Sequence, residues 1–110
     1  MRHLGVVMLL VAVTISPAAI VKRAWAQDPA LVQQGQRAFM NQGCHGCHRI
    51  GAMGTPIGPD LSHVGAKYSA EYLARWLRDP SHLRPSTHMP TIELTDDDIR
   101  SIAAFLASRQ

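Results

Sequence analysis

Apolar residues recur at helical spacing in three stretches of the chain, and between those stretches the periodicity is lost. In the first, Leu31, Gly35, Ala38 and Phe39 fall on one face. Asp28 before Pro29 supplies an N-cap and then the residue best suited to the first helical position, which predicts a helix running to about Asn41. In the second, Tyr72, Leu73, Trp76 and Leu77 form the face, Ser69 is the N-cap, and Pro80 ends the helix. Tyr68 and Leu73 stand where the two halves of a hydrophobic staple belong. In the third, Ile99, Ile102, Ala103 and Leu106 trace the i, i+3, i+4, i+7 face as far as Ser108. Its start signals are Leu94 and Ile99 as a staple, Thr95 as N-cap, and Asp96, Asp97 and Asp98 against the positive helix end. A glycine inside a helix costs about 1 kcal/mol relative to alanine. Gly35 therefore wants a packing reason, and a close crossing against the small Ala103 is the one the pattern offers.

The intervening segments do not alternate as strands would. From Arg49 to Gly65 the glycines and prolines at 51, 54, 56, 58 and 59 rule out a helix, yet Ile50, Met53, Ile57, Leu61 and Val64 lie among them. A free loop would not carry so many side chains of the buried type, so this one must wrap something apolar. Pro80 to Pro90 is a second irregular stretch, with Thr87, His88 and Met89 before the last proline. The fold class is therefore all-α, with three main short helices and irregular loops.

Ahead of these elements, Arg2 and His3 precede an apolar run from Leu4 to Ile15, and Ala24-Trp25-Ala26 has the small-x-small form of a signal-peptidase site. We read residues 1–26 as an export signal and 27–110 as one domain. Without cleavage, residues 4–21 would be a membrane anchor of marginal length, interrupted by Pro17. The formal charge of +3 owes its excess to Arg2, Lys22 and Arg23, so residues 27–110 are close to neutral. No basic patch argues for nucleic acid. A domain of this size has a marginal core of its own.

The two cysteines stand in Cys44-His45-Gly46-Cys47-His48, the Cys-x-x-Cys-His spacing of c-type haem attachment. Each thiol can add across one haem vinyl group, and His48 then falls beneath the iron as proximal ligand. A thioredoxin-like site would need a strand before the motif, and zinc would need a second ligand pair that His63, His82 and His88 do not supply. A disulfide would leave His48 unexplained. A haem would be the apolar body that the 49–65 loop wraps, Leu61 included, and would fill the centre of a core that should be largely disordered without it. The Pro59 carbonyl is available to the second nitrogen of a ligating histidine. The indole N–H of Trp76 needs an acceptor if buried, and a haem propionate is one candidate; plain core packing is the alternative reading of this residue. Met89 is a soft thioether stiffened by Pro90, although a lone methionine is more often core filler and His88, His63 and His82 compete with it.

In this order, Cys44-His45-Gly46-Cys47-His48, then Gly58-Pro59-Asp60-Leu61, Trp76 in its helix, and Thr87-His88-Met89-Pro90, the chain resembles the class I c-type cytochromes over essentially all of residues 27–110. The resemblance implies the cytochrome c fold around one haem c, joined by thioethers at Cys44 and Cys47, with His48 and Met89 as axial ligands. It implies that the Pro59 carbonyl holds His48 and that the helices bearing Gly35, Phe39 and Phe105 cross. The implied function is one-electron transfer between redox partner proteins outside the cytoplasm, with no catalysis at the iron. The stretch from Asp79 to Pro90 also looks like the haem domains of bacterial oxidases and periplasmic dehydrogenases. A ligand-binding or catalytic haem is the competing reading if Met89 dissociates.

Overall fold

The computed structural model describes residues 10–110. The basic start and the first part of the apolar run lie outside the described residues. Among the described residues five helices follow one another: α1 (Pro17–Ala26), α2 (Pro29–Asn41), α3 (Ala70–Arg78), α4 (Pro80–Leu83) and α5 (Asp96–Ala107). Single 3₁₀ turns occupy Cys44–Gly46 and Val64–Ala66, and an isolated bridge pairs Ile50 with Met53. The three helices predicted from periodicity are α2, α3 and α5, with the predicted caps. Asp28 accepts from Ala30 N–H at 3.0 Å and Ser69 Oγ from Tyr72 N–H at 3.1 Å. At the start of α5, Thr95 and Asp98 cap each other: Asp98 N–H donates to Thr95 Oγ1 and Thr95 N–H to Asp98 Oδ2. The third aspartate thus does more than oppose the helix dipole, since it completes a capping box.

α2 and α5 cross at Gly35, as expected, but not against Ala103. A Cβ built at position 35 would overlap the backbone carbonyl of Ser101 and press on the Cβ of Phe105. The point of contact is Ser101 and Phe105, which lie two residues to either side of Ala103 and so on a different face of α5. Beside the crossing, Phe39 and Phe105 meet edge to face with ring centroids 5.6 Å apart. Ile50, Val64, Leu73, Leu77, Ile99, Ile102 and Leu106 complete one core cluster.

Tyr68 stacks on Tyr72 at 4.6 Å and stays 40% exposed, while Leu73 enters the core. The stretch after Pro80 is not irregular throughout, because Asp79 caps a new turn by accepting from His82 N–H and Ser81 Oγ. Asp79-Pro80 repeats the cap-then-proline signal of Asp28-Pro29. These hydrogen bonds, Ser81's first, hold the Asp79 carboxyl below the usual carboxylate range. Pro17 opens α1, at a position where its missing N–H is not needed, and the described residues before it are not helical, so the apolar run is interrupted there.

Among the described residues no helix is long and apolar enough to cross a membrane. α1 instead lies against α5 and α2. Trp25 packs on the core cluster, with the Arg100 guanidinium 5.3 Å from its ring centroid.

Candidate functional site

The α2 helix ends at Asn41, and Gly43, with φ of 75°, turns the chain sharply into the 3₁₀ turn that carries Cys44. Cys47 and His48 N–H groups both return to the Cys44 carbonyl, at 3.2 and 3.0 Å. This tight winding puts the two thiols on one short turn. Cys44 packs against the core, where burial pushes its free thiol's pKa up; Cys47 is exposed. The two form no disulfide with each other.

The loop after the turn closes back on it. Gly58 N–H donates to the Cys47 carbonyl at 2.6 Å, Thr55 Oγ1 to the Gly46 carbonyl at 2.8 Å, and Leu61 N–H to the Arg49 carbonyl at 2.9 Å. These bonds set Pro59 where its carbonyl lies 2.7 Å from His48 Nδ1. A carbonyl can only accept, so Nδ1 carries the proton, and in the neutral ring the lone pair is then on Nε2. Gly58 makes the approach feasible, because a Cβ there would sit 2.7 Å from His48 Cε1 and 2.9 Å from Nδ1. Asp60 is held below the usual carboxylate range chiefly by hydrogen bonds from Ser62, whose Oγ in turn accepts from Gly51 N–H.

The apolar residues of this loop divide. Ile50 and Val64 are buried in the protein's own core and Leu61 packs against it, whereas Met53 and Ile57 are 46% and 77% exposed. The loop therefore needs a further apolar body for only part of its side chains.

A second group forms between α3 and the segment after α4. Met89 is half-buried against the core, and Trp76 Nε1–H donates to its sulfur at 3.2 Å. The acceptor of the indole N–H is thus the Met89 sulfur. Met89 N–H donates to Thr87 Oγ1 at 3.2 Å, which fixes the backbone ahead of Pro90. The competing histidines lie elsewhere in the bonding pattern: His63 Nδ1 is 2.7 Å from the Gln110 carbonyl, and His82 and His88 are exposed. Among the described residues no three His, Cys, Asp or Glu side chains gather around a point where a lone metal ion would sit.

The two groups share one core, since Cys44, Leu61 and Met89 all pack against it. Two thiols on one turn, an imidazole with a free Nε2, and a soft thioether make a donor set that fits a covalently attached haem. The family model described as Cytochrome c matches residues 32–110. The chain belongs to the cytochrome c family. Its cofactor is covalent haem c, with Cys44 and Cys47 in the attachment pattern, and its business is haem electron transfer.

Among curated proteins it is 31% identical over 87 residues to cytochrome c oxidase subunit 2 of Alkalihalophilus pseudofirmus, covering 71% of this chain and 25% of that one. It is 28% identical over 90 residues to a nitric oxide reductase subunit of Cereibacter sphaeroides, covering 71% of this chain and 61% of that one. To cytochrome c oxidase subunit 2 of Bacillus sp. strain PS3 it is 27% identical over 106 residues, covering 79% and 28%. The chain thus spans less than two thirds of each relative's length. No solved structure gives a significant match.

The sequence reading missed two contacts. Gly58 was legible as a loop former but not as the floor beneath the His48 ring. The Trp76–Met89 bond joins residues thirteen apart through a turn that no periodicity describes.

Proposed function

We propose that this chain is an exported carrier of one electron at a time, its haem attached through Cys44 and Cys47 and its iron held between His48 and Met89. The observation that carries the reading is the His48 ring itself, with Nδ1–H given to Pro59 and Nε2 left as the donor. When bound, the haem supplies an iron that cycles between ferric and ferrous states. The chain's own residues anchor it, exclude water from one side through Leu61 and the core, and occupy both axial positions. No open position remains for a substrate, and no acid or base is called for, so the protein is not itself an enzyme. The partners are redox proteins, and export puts the haem outside the cytoplasm, in the periplasm or an equivalent compartment.

The native ferrous protein is therefore expected to bind carbon monoxide only slowly and partially, and to titrate reversibly as a one-electron couple. Rapid, stoichiometric carbon monoxide binding would replace this reading with a ligand-binding or catalytic haem.

A second reading is favoured by the packing of Trp25 on the core beside Arg100. Cleavage after Ala26 would discard that contact, whereas a retained leader would keep it and tether the domain as a haem subunit of a membrane complex. Relatives named as subunits of an oxidase and a nitric oxide reductase support it. The N-terminal residue of protein isolated from cells distinguishes the two: Gln27 means a released carrier, and an earlier residue a tethered subunit.

A further inference from the structure

We propose that Ser62 is a positioning residue for the Pro59 carbonyl, and through it for the His48 ring, because it ties the chain that follows Pro59 to the chain that follows His48. The inference rests on His48 being an axial ligand. The Pro59 carbonyl meets His48 Nδ1 at 2.7 Å, and its direction decides how squarely it accepts. The proline ring fixes φ at Pro59. What remains to be set is the tilt of the rigid peptide plane between Pro59 and Asp60, to which that carbonyl belongs.

Ser62 sets it from two sides. Its N–H donates to Asp60 Oδ1 at 2.8 Å, which closes an Asx turn directly after the carbonyl. Its hydroxyl accepts from Gly51 N–H at 2.8 Å and keeps a proton of its own to donate. Asp60 takes that proton, since the Ser62 side chain as well as its backbone holds the carboxyl low. The tie closes a ring. It leaves His48 along the chain to Gly51, crosses through Ser62 to Asp60, and returns by the Pro59 carbonyl to Nδ1. Gly51 and Asp60 are exposed while Ser62 is half-buried. Without the hydroxyl, water would take up their hydrogen bonds and hold neither in place. A carbonyl that accepts squarely from Nδ1–H makes the imidazole a more basic ligand at Nε2. A stronger donor favours ferric over ferrous iron, so Ser62 lowers the reduction potential.

The test is Ser62→Ala in the haem-loaded protein, with Ser62→Thr as the variant that keeps the hydroxyl. At a fixed ambient potential Ser62→Ala should raise the ferrous-to-ferric ratio about twofold to fivefold, within what one modest hydrogen bond spans. In the ferrous form its His48 Nδ1–H proton should resonate at a changed position and exchange faster with water. Ser62→Thr should restore both. An unchanged or lowered ratio, or a raised one with an unmoved Nδ1–H, would overturn the proposal. So would a Ser62→Thr protein that behaves like Ser62→Ala, since that assigns the effect to packing at this position. If Ser62→Ala does not retain its fold, amide exchange in the unaltered protein decides. A protected Gly51 N–H supports the tie, and one exchanging freely with water overturns it. In the unaltered ferric protein, His48 ring protons that the iron does not displace would sink the axial reading of His48 and this proposal with it. Displacement there, with no response in the variant, would sink this proposal alone.

Discussion

With Cys44 and Cys47 both replaced by alanine, the chain is expected to lose most of its helical circular dichroism and to retain no haem after denaturation in acid and organic solvent. The reason lies in the size of the core. Among the described residues only Phe39, Ile50, Val64, Leu73, Leu77, Pro80, Ile99, Ile102, Phe105 and Leu106 are buried apolar side chains larger than alanine. Burying each stabilises by about 1.5–3 kcal/mol. Ordering each residue costs about 1.5 kcal/mol, and far more residues are ordered than buried. Small domains usually close this gap with disulfides, metals or cofactors. Here no disulfide ties Cys44 to Cys47, and the haem is what the thiols hold. The double variant separates attachment from ligation, because His48 and Met89 remain. Native-like helicity in a haem-free sample would mean that the protein core suffices alone, against this account.

Gly35→Ala is expected to destabilise the haem-loaded protein by about 3 kcal/mol or more, at the upper end of what overpacking costs. Helix propensity pulls the other way, since alanine inside a helix is better than glycine by about 1 kcal/mol. The packing effect should win because the obstacle is backbone. The added methyl would overlap the Ser101 carbonyl, which cannot rotate away as a side chain could, so α2 and α5 must separate. Separation would also pull Phe39 from Phe105 and loosen the end of α2 that leads into the Cys44 turn. Denaturant unfolding of both proteins measures the difference. An unchanged or raised midpoint would mean that the helix spacing is not set at this crossing.

What the sequence made legible follows the range of each interaction. Caps and helix faces are local, and Asp28, Ser69 and Thr95 all act where the pattern puts them. The haem motif is local as well, since Cys44, Cys47 and His48 all belong to one short turn of chain. The contact between Pro59 and His48 spans eleven residues, and a resemblance in motif order brought it within reach. The crossing partner of Gly35 was misread because the small residue Ala103 is one of several on α5. Which of them faces α2 depends on the rotation of α5, and the i, i+3, i+4 pattern does not fix it here because α5 is buried on several faces, Ser101, Ala103, Ala104 and Phe105 among them. Trp76 is the clearest case of a long-range decision. Its need for an acceptor could be read from its chemistry, whereas the choice of Met89 depends on how the chain from α4 to Pro90 is laid across α3.

The measurement that tests the account most directly is the near-infrared spectrum of the ferric, haem-loaded protein, with and without Met89→Ala. Ligation by His48 and Met89 predicts a weak sulfur-to-iron band in the unaltered protein and its complete loss in the variant. A low-spin ferric protein without the band would make a histidine such as His88 the second ligand. A high-spin spectrum would leave that position open and contradict the electron-carrier reading altogether.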